Sequence, residues 1–379
     1  MKLADLDTPS LILDRTILAR NAAAMTRRAR SLGVNLRPHM KTAKSVDVAR
    51  LVLEGNAGGI TVSTLKEAEY FAAAGFTDIV YAVGIVPSKL PRVAALRRAG
   101  VDIAVVADRV DTAHALSERC VQLDIAELAV LIELDTGEHR SGLSPASPAL
   151  TELGQALHRL PGLSLRGVLT HAGHSYGGRN IEEVQAVAEH ERAACVAAAR
   201  RLRAAGLPCP VVSVGSTPTA VHARHLEGVT ELRCGVYMFG DVFQSSIGSC
   251  SGGDIAVSVL ATVIGHREDM NCAVIDAGAL ALSKDRSTAS VGLPDDTGFG
   301  IVTDAGGREC IRGMHVSRVY QEHGLLSCRG EFPFAQLPIG ERVRVFPNHV
   351  CLTAAMYDTY RVIEGGDEIV AAWPRVNGW

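Results

Sequence analysis

Between residues 37 and 235, short runs rich in Val, Ile and Ala alternate with longer Ala/Leu/Arg segments whose apolar residues recur at helical spacing. Repeated β-α units leave that alternation in a sequence. The runs at 36–39, 60–63, 78–82, 102–106, 128–135, 166–171, 211–214 and 231–234 predict eight strands, the number that closes a (β/α)8 barrel. Helical segments at 16–32, 64–74, 88–98 and 181–205 each stop at a glycine (Gly33, Gly75, Gly100, Gly206), the residue a left-handed C-cap favours. After about residue 241 the texture changes. A small, polar stretch at 245–253 gives way to Val-rich segments broken by Gly and Asp-Gly turns, with little helical period. The pattern predicts an α/β chain with a barrel over 15–245 and a mostly β domain over 246–379. The run at 10–14 precedes the first barrel helix and is expected to pair with the β domain.

A length of 379 residues suits this two-domain division. The formal charge of −3 leaves no basic surplus to attract nucleic acid or an anionic membrane. No uncharged apolar stretch approaches the roughly 20 residues that a membrane helix needs. The first nine residues carry acids and a proline where a secretion signal has basic residues and then an apolar run, so export is not expected. The nine cysteines are scattered, odd in number and without a Cys-x-x-Cys pair, which points to a reducing cytoplasm and away from a disulfide framework or zinc ribbon.

Barrel enzymes place their chemistry at the C-terminal ends of the strands. The first predicted strand runs into Arg37-Pro38-His39-Met40-Lys41, where residues two apart share a face, so Arg37, His39 and Lys41 are expected to converge on the barrel mouth. A desolvated lysine there is costly as a cation, and an imine with an aldehyde cofactor would neutralise it. The seventh strand ends in Val214-Gly215-Ser216-Thr217-Pro218-Thr219, a glycine turn with hydroxyls that suits a phosphate. The eighth adds Gly235 and the Tyr237 hydroxyl. The loops after the fifth and sixth strands are dense in polar groups, among them Arg140, His171 and Tyr176. Arg140 and His171 are candidates for contacts to a ring or a substrate, with structural roles equally open. In the β domain, Pro347-Asn348-His349-Val350-Cys351 reads as a strand with His349 and Cys351 on one face. Such an imidazole-thiolate pair favours Zn2+ over Mg2+ and leaves coordination positions open for water and substrate.

These motifs, with Thr170-His171-Ala172-Gly173, Asp276-Ala277-Gly278 and Gln321-Glu322-His323-Gly324, resemble the D-serine dehydratase/D-threonine aldolase family over nearly the full length. The resemblance implies an alanine-racemase-like (β/α)8 barrel that binds pyridoxal 5′-phosphate, a second β domain, and a homodimer. It implies Lys41 as the Schiff-base lysine, with His39, Arg140, Tyr176, Gly215, Ser216, Thr217, Gly235 and Tyr237 around the cofactor and Arg140 at the pyridine nitrogen. His171 becomes a second catalytic candidate. His349 and Cys351 become the ligands of a divalent metal, Zn2+ first, with Mn2+ and Mg2+ as alternatives. The aldolases of the family tend to carry His-x-Asp at the metal site, whereas this chain has His-x-Cys. The expected reaction is therefore dehydration of a small D-β-hydroxy amino acid, D-serine, D-threonine or D-threo-3-hydroxyaspartate, to a 2-oxo acid and ammonia. The alternatives are an aldolase acting on D-threonine or D-3-hydroxyaspartate, a racemase, for which the metal pair has no task, and a non-catalytic cofactor carrier.

Overall fold

In the computed structural model, which describes residues 1–56, 58–291, 297–308 and 311–379, the strands fall into two sheets. Ser10–Asp14 is β1. Eight short strands follow: β2 (Asn35–Leu36), β3 (Ile60–Val62), β4 (Asp78–Gly84), β5 (Asp102–Ala107), β6 (Glu127–Leu134), β7 (Gly162–Thr170), β8 (Val211–Val214) and β9 (Glu231–Leu232). They lie parallel in the order β2-β9-β8-β7-β6-β5-β4-β3. A parallel bridge between His39, beyond the end of β2, and Thr61 in β3 joins the two edges of the sheet. Its bonds are Thr61 N–H to Pro38 O (2.9 Å) and Met40 N–H to Thr61 O (2.8 Å). The expected barrel is therefore present.

Side chains alternate across these strands. Val80, Ala104, Val106, Ala129, Leu131 and Leu169 form one buried cluster, with Ala82 and Val211 packed on it. Ile79, Ile103, Val105, Leu128, Val130 and Val168, on the opposite parity, are also buried, and the helix Ala149–Arg159 packs on β6 and β7. Burial on both faces explains why these strands read as nearly continuous apolar runs. The helix Ile181–Ala204 starts at Asn180, whose side chain accepts from Glu183 N–H at 2.8 Å, and Gly206 beyond its end takes φ +75° as a left-handed stop requires.

The second sheet comprises β1, β10 (Val257–Arg267), β11 (Cys272–Ile275), β12 (Gly300–Asp304), β13 (His315–Val319), β14 (Gly324–Ser327), β15 (Arg342–Pro347), β16 (Thr359–Ile363) and β17 (Ala371–Pro374). The order β11-β14-β13-β12-β15-β10 closes on itself through the β10–β11 pairing, and β1, β16 and β17 extend it from β10. The opening run thus pairs antiparallel with β10 and parallel with β16; the other pairings are antiparallel. Leu3, Leu6, Ile12, Leu260 and Ile363 pack into one cluster of this unit.

The chain forms two compact units, residues 1–23 with 236–377 and residues 24–235 with 378–379. Among the described residues every cysteine is a free thiol, and Cys120, Cys195, Cys209, Cys234 and Cys272 are buried. None of the described helices is long and apolar enough to cross a membrane. Leu131 sits in the barrel's interior cluster at 1% exposure, so Leu131→Ala should destabilise the barrel by about 2–5 kcal/mol. Chemical unfolding followed by circular dichroism checks this, and an unchanged midpoint would show that the interior cluster does not bear the barrel's stability.

Candidate active site

The interior faces of β4, β6 and β7 carry on from that cluster to a cavity of about 320 Å3 at the C-terminal ends of the strands. Residues two apart share a face, so Leu131 leads to Glu133, Val80 to Ala82, and Leu169 to His171. His39, Lys41, Ser63, Arg140, Ser141 and Arg233 complete the polar lining. Lys41 lies in the turn directly after the His39–Thr61 bridge, and its N–H faces His39 Nδ1 at 3.4 Å.

Arg37 does not join them. Its guanidinium bonds Asp78 and Glu231, both at 2.8 Å, which are the first residues of β4 and β9. Arg37 therefore lies at the N-terminal end of the barrel. It shares a strand face with His39 and Lys41, but it is one repeat too early to reach the mouth.

Both cavity histidines are held neutral. Burial lowers the His39 pKa well below its ordinary value, and the charges of Lys41 and Arg233 push the same way. His171 is lowered to about 3, first by burial and then by Lys41, with Arg233 and Arg140 adding to it. Its Nδ1 stands 3.2 Å from Gly215 O. A carbonyl only accepts, so Nδ1–H donates and Nε2 carries the lone pair. For His39 the geometry is reversed. Its Nδ1 accepts from Lys41 N–H, which leaves Nε2–H for Ser63 Oγ at 3.5 Å.

Arg233 is 4% exposed, and burial lowers its pKa. It donates to Ser213 Oγ (2.7 Å) and to Thr170 O (2.6 Å), so it ties β7 and β8 together just below the cavity. Glu133 is the carboxylate of the lining and accepts from Ser141 Oγ at 2.9 Å. The cavity thus holds three cationic side chains against one carboxylate, a setting for an anionic ligand.

The remaining candidates do not line this cavity. Gly215, at φ +129°, leaves a Cβ only about 3 Å from the Arg233 backbone and Leu232, and its N–H is donated to Glu191 at 2.9 Å. Ser216 and Thr217 are buried at the start of the six-residue helix Thr217–His222, where Ser216 and Thr219 cap each other reciprocally. The Tyr176 ring lies 6.5 Å from that of His171. A Cβ on Gly235 would stand 2.7 Å from His39 O, so only glycine lets the chain after β9 run beside the lysine-bearing segment. Tyr237 is buried in the turn Val236–Met238 that opens the second unit.

In the second unit His349 and Cys351 are close together, although the chain there is not a strand. β15 ends at Pro347, His349 is the N-cap of the short helix Val350–Ala354, and Cys351 sits in its first turn. The buried Asp241, which caps the helix Val242–Ser246 by accepting Gln244 N–H at 2.7 Å, also braces this turn by accepting Val350 N–H at 3.1 Å. Its own carboxyl is raised to about 6 by burial. His349 Nδ1 bonds Asp285 Oδ2 at 2.7 Å. Burial disfavours its charged form, but Cys351 and Asp285 outweigh this and raise its pKa to about 10. A carboxylate behind one ring nitrogen aims the other at a metal, and a nitrogen-thiolate pair suits a borderline cation. Among the described residues no three His, Cys, Asp or Glu side chains form a metal cage. Arg286 lies over the Phe299 ring, 5.4 Å from its centroid.

Sequence reasoning missed Ser63, Glu133, Arg233, Glu191 and Asp285. The signal for Glu133 and Arg233 was a charge within a predicted strand at interior parity, and for Glu191 an acid on the apolar stripe of its helix.

A lysine among arginines and neutral imidazoles at the mouth of a parallel β/α barrel suits an enzyme that binds an aldehyde cofactor carrying negative charge. Comparison with known proteins narrows the class. Residues 13–242 match the alanine racemase N-terminal domain, and residues 256–363 the putative serine dehydratase domain. The D-threo-3-hydroxyaspartate dehydratase of Delftia sp. (strain HT23) is 48% identical over 100% of this chain and 99% of its own length. Its solved structure superposes with a TM-score of 0.95 at 47% identity, each chain covering 100% of the other. The D-serine dehydratase of Dictyostelium discoideum is 31% identical over 99% of this chain and 98% of its own. The D-threonine aldolase structure from Filomicrobium marinum is more distant, at a TM-score of 0.84 and 28% identity over 99% and 96% of the two chains. A cysteine-to-alanine variant of a D-threo-3-hydroxyaspartate dehydratase has been solved in a metal-free form, at a TM-score of 0.95 and 47% identity to this chain, each chain covering 100% of the other. The chain belongs to the D-serine dehydratase/D-threonine aldolase family, whose members are pyridoxal-phosphate-dependent lyases.

Because the folded protein resists protonating His171 down to about pH 3, while an unfolded imidazole takes up its proton near 6.5, this residue favours folding above that range and loses its contribution as the pH falls. Nitrogen-15 NMR of histidine-labelled protein should show no His171 titration between pH 5 and 8. A midpoint near 6.5 would contradict the buried, cation-flanked geometry.

Proposed function

We infer that the chain dehydrates a small D-β-hydroxy amino acid, D-threo-3-hydroxyaspartate first among the candidates, to a 2-oxo acid and ammonia. The use of an aldehyde cofactor rests on the convergence of Lys41 with Arg140, Arg233 and two neutral histidines in one cavity, and dehydration on the His349-x-Cys351 pair and the likeness to dehydratases. The substrate rests on the full-length 48% identity to the Delftia dehydratase. D-Serine and D-threonine share the reacting centre and differ at the far end, where selectivity depends on a few pocket contacts. The proposed setting is a homodimer in the cytoplasm with a zinc ion at His349 and Cys351.

The cavity suits pyridoxal 5′-phosphate: it offers one amine for an aldehyde and cations for an anion. The cofactor supplies that aldehyde and a ring that draws electron density from Cα. Lys41 Nζ is the amine that would hold the aldehyde and, when free, would take the α-proton. Arg140, in the cavity lining, is the residue that would stand at the ring nitrogen, where a fixed cation would disfavour its protonation and leave more of the work to the departure of the β-hydroxyl. His171 accepts at Nε2, while its Nδ1–H stays bound to Gly215 O. Ser216, Thr217, Gly235 and the Tyr237 hydroxyl would hold the phosphate in the turn that Gly215 shapes, the Gly215 N–H and carbonyl being already bonded to Glu191 and His171; Tyr176 stands beside His171. His349 and Cys351 would hold a divalent ion, whose chemistry is that of a Lewis acid toward a departing hydroxyl. Loss of the α-proton and hydroxide gives an enamine, which water hydrolyses to the 2-oxo acid and ammonia, balancing the atoms.

Purified protein with pyridoxal 5′-phosphate and Zn2+ should release oxaloacetate and ammonia from D-threo-3-hydroxyaspartate. Chelation should abolish the activity, and Lys41→Ala should lower it ~10^3-fold or more. Glycine with glyoxylate as products would make the chain an aldolase and show that His-x-Cys does not mark dehydration. Asp285→Ala, which removes the carboxylate behind His349, should weaken Zn2+ binding about 10–100-fold. An unchanged affinity in a zinc-chelator competition would place the ion elsewhere.

A further inference from the structure

The helix Ile181–Ala204 buries Val184, Ala188, Glu191, Cys195, Ala198, Ala199 and Leu202 along one stripe. Six of these are apolar or small. Glu191 occupies a position where packing alone calls for an aliphatic side chain, and it is 2% exposed. A carboxyl there is costly unless its oxygens are bonded.

Its partners lie in the two turns that border the cavity. Glu191 Oε1 accepts from Gly215 N–H at 2.9 Å and from Ala172 N–H at 3.2 Å, and the Thr219 hydroxyl also bonds the carboxyl. The carbonyl of the same Gly215 accepts from His171 Nδ1. The peptide before Gly215 is thus fixed by Glu191 and the peptide after it by His171. The two turns are also joined by the Ser175–Ser216 hydroxyl pair at 2.7 Å. Burial raises the carboxyl's pKa to about 7, although the backbone bonds, Thr219 and the Arg233 charge all favour its ionised form.

We propose that Glu191 is a positioning residue that sets the turn after β8 for the cofactor's phosphate by clamping it to the turn after β7. It touches neither substrate nor cofactor. Its contribution is preorganisation: a turn already held in its binding shape loses less freedom when an anion arrives. The proposal rests on the reading of Gly215, Ser216 and Thr217 as the phosphate end.

The test compares pyridoxal 5′-phosphate with pyridoxal, which lacks the phosphate, by fluorescence titration of the full chain stripped of cofactor. Glu191→Ala should raise the Kd for pyridoxal 5′-phosphate by about tenfold and leave that for pyridoxal within about twofold. Glu191→Gln keeps an oxygen acceptor for both N–H groups and should stay within about threefold of the parent. Glu191→Asp, one methylene short, should behave like the alanine variant and stands in for it if that variant does not fold. Equal loss for both ligands, or no loss for either, would overturn the proposal and reduce Glu191 to a packing residue. A parent that binds pyridoxal 5′-phosphate no better than pyridoxal would overturn the phosphate reading itself, and a parent that binds neither would overturn the cofactor reading. Those two results are visible before any variant is made.

Discussion

The parallel bridge between His39 and Thr61 connects the edges of an eight-stranded sheet whose terminal strands are only two and three residues long. The closed ring gives the interior cluster its wall, and the bridge ends two residues before Lys41. Gly235 lets the neighbouring backbone pack directly against His39, where a Cβ would stand 2.7 Å from the His39 carbonyl. Closure of the barrel and delivery of the lysine are thus one structural event. A residue that disturbed the bridge would open the sheet and move the amine together.

Electrostatics follow from that closure. Desolvation inside the ring is the first cause that keeps the two imidazoles unprotonated, and the charges of Lys41 and Arg233 push the same way, with Arg140 adding to it at His171. Neutral imidazoles accept and donate hydrogen bonds without adding to the positive charge, and what remains is a cationic cavity prepared for an anion. The second unit meets a different demand, holding a nitrogen and a sulfur close together. It does so with a helix start braced by Asp241 and Asp285.

Much of the barrel was legible because both faces of its strands are buried, and doubly buried strands leave unbroken apolar runs between glycine stops. All eight predicted strands coincide with or adjoin observed ones, and Lys41, His39, Arg140 and His171 meet in one cavity. Less legible were features that depend on distance along a strand or on a tertiary partner. Arg37 has the right parity but the wrong height. His349 and Cys351 were expected on a strand, but Asp241, more than a hundred positions earlier, captures Val350 N–H and turns the chain into a helix. Local spacing carries no trace of that bond. Glu191 was hidden similarly, since its partners are backbone groups of two distant turns.

The central claim is that Lys41, delivered by the bridge, is the amine that holds the cofactor. Incubating the protein with pyridoxal 5′-phosphate, reducing it with borohydride and mapping the peptides by mass spectrometry tests this most directly. The account predicts a single pyridoxyl adduct on Lys41. An adduct on another lysine, or none with Lys41 intact, would contradict it.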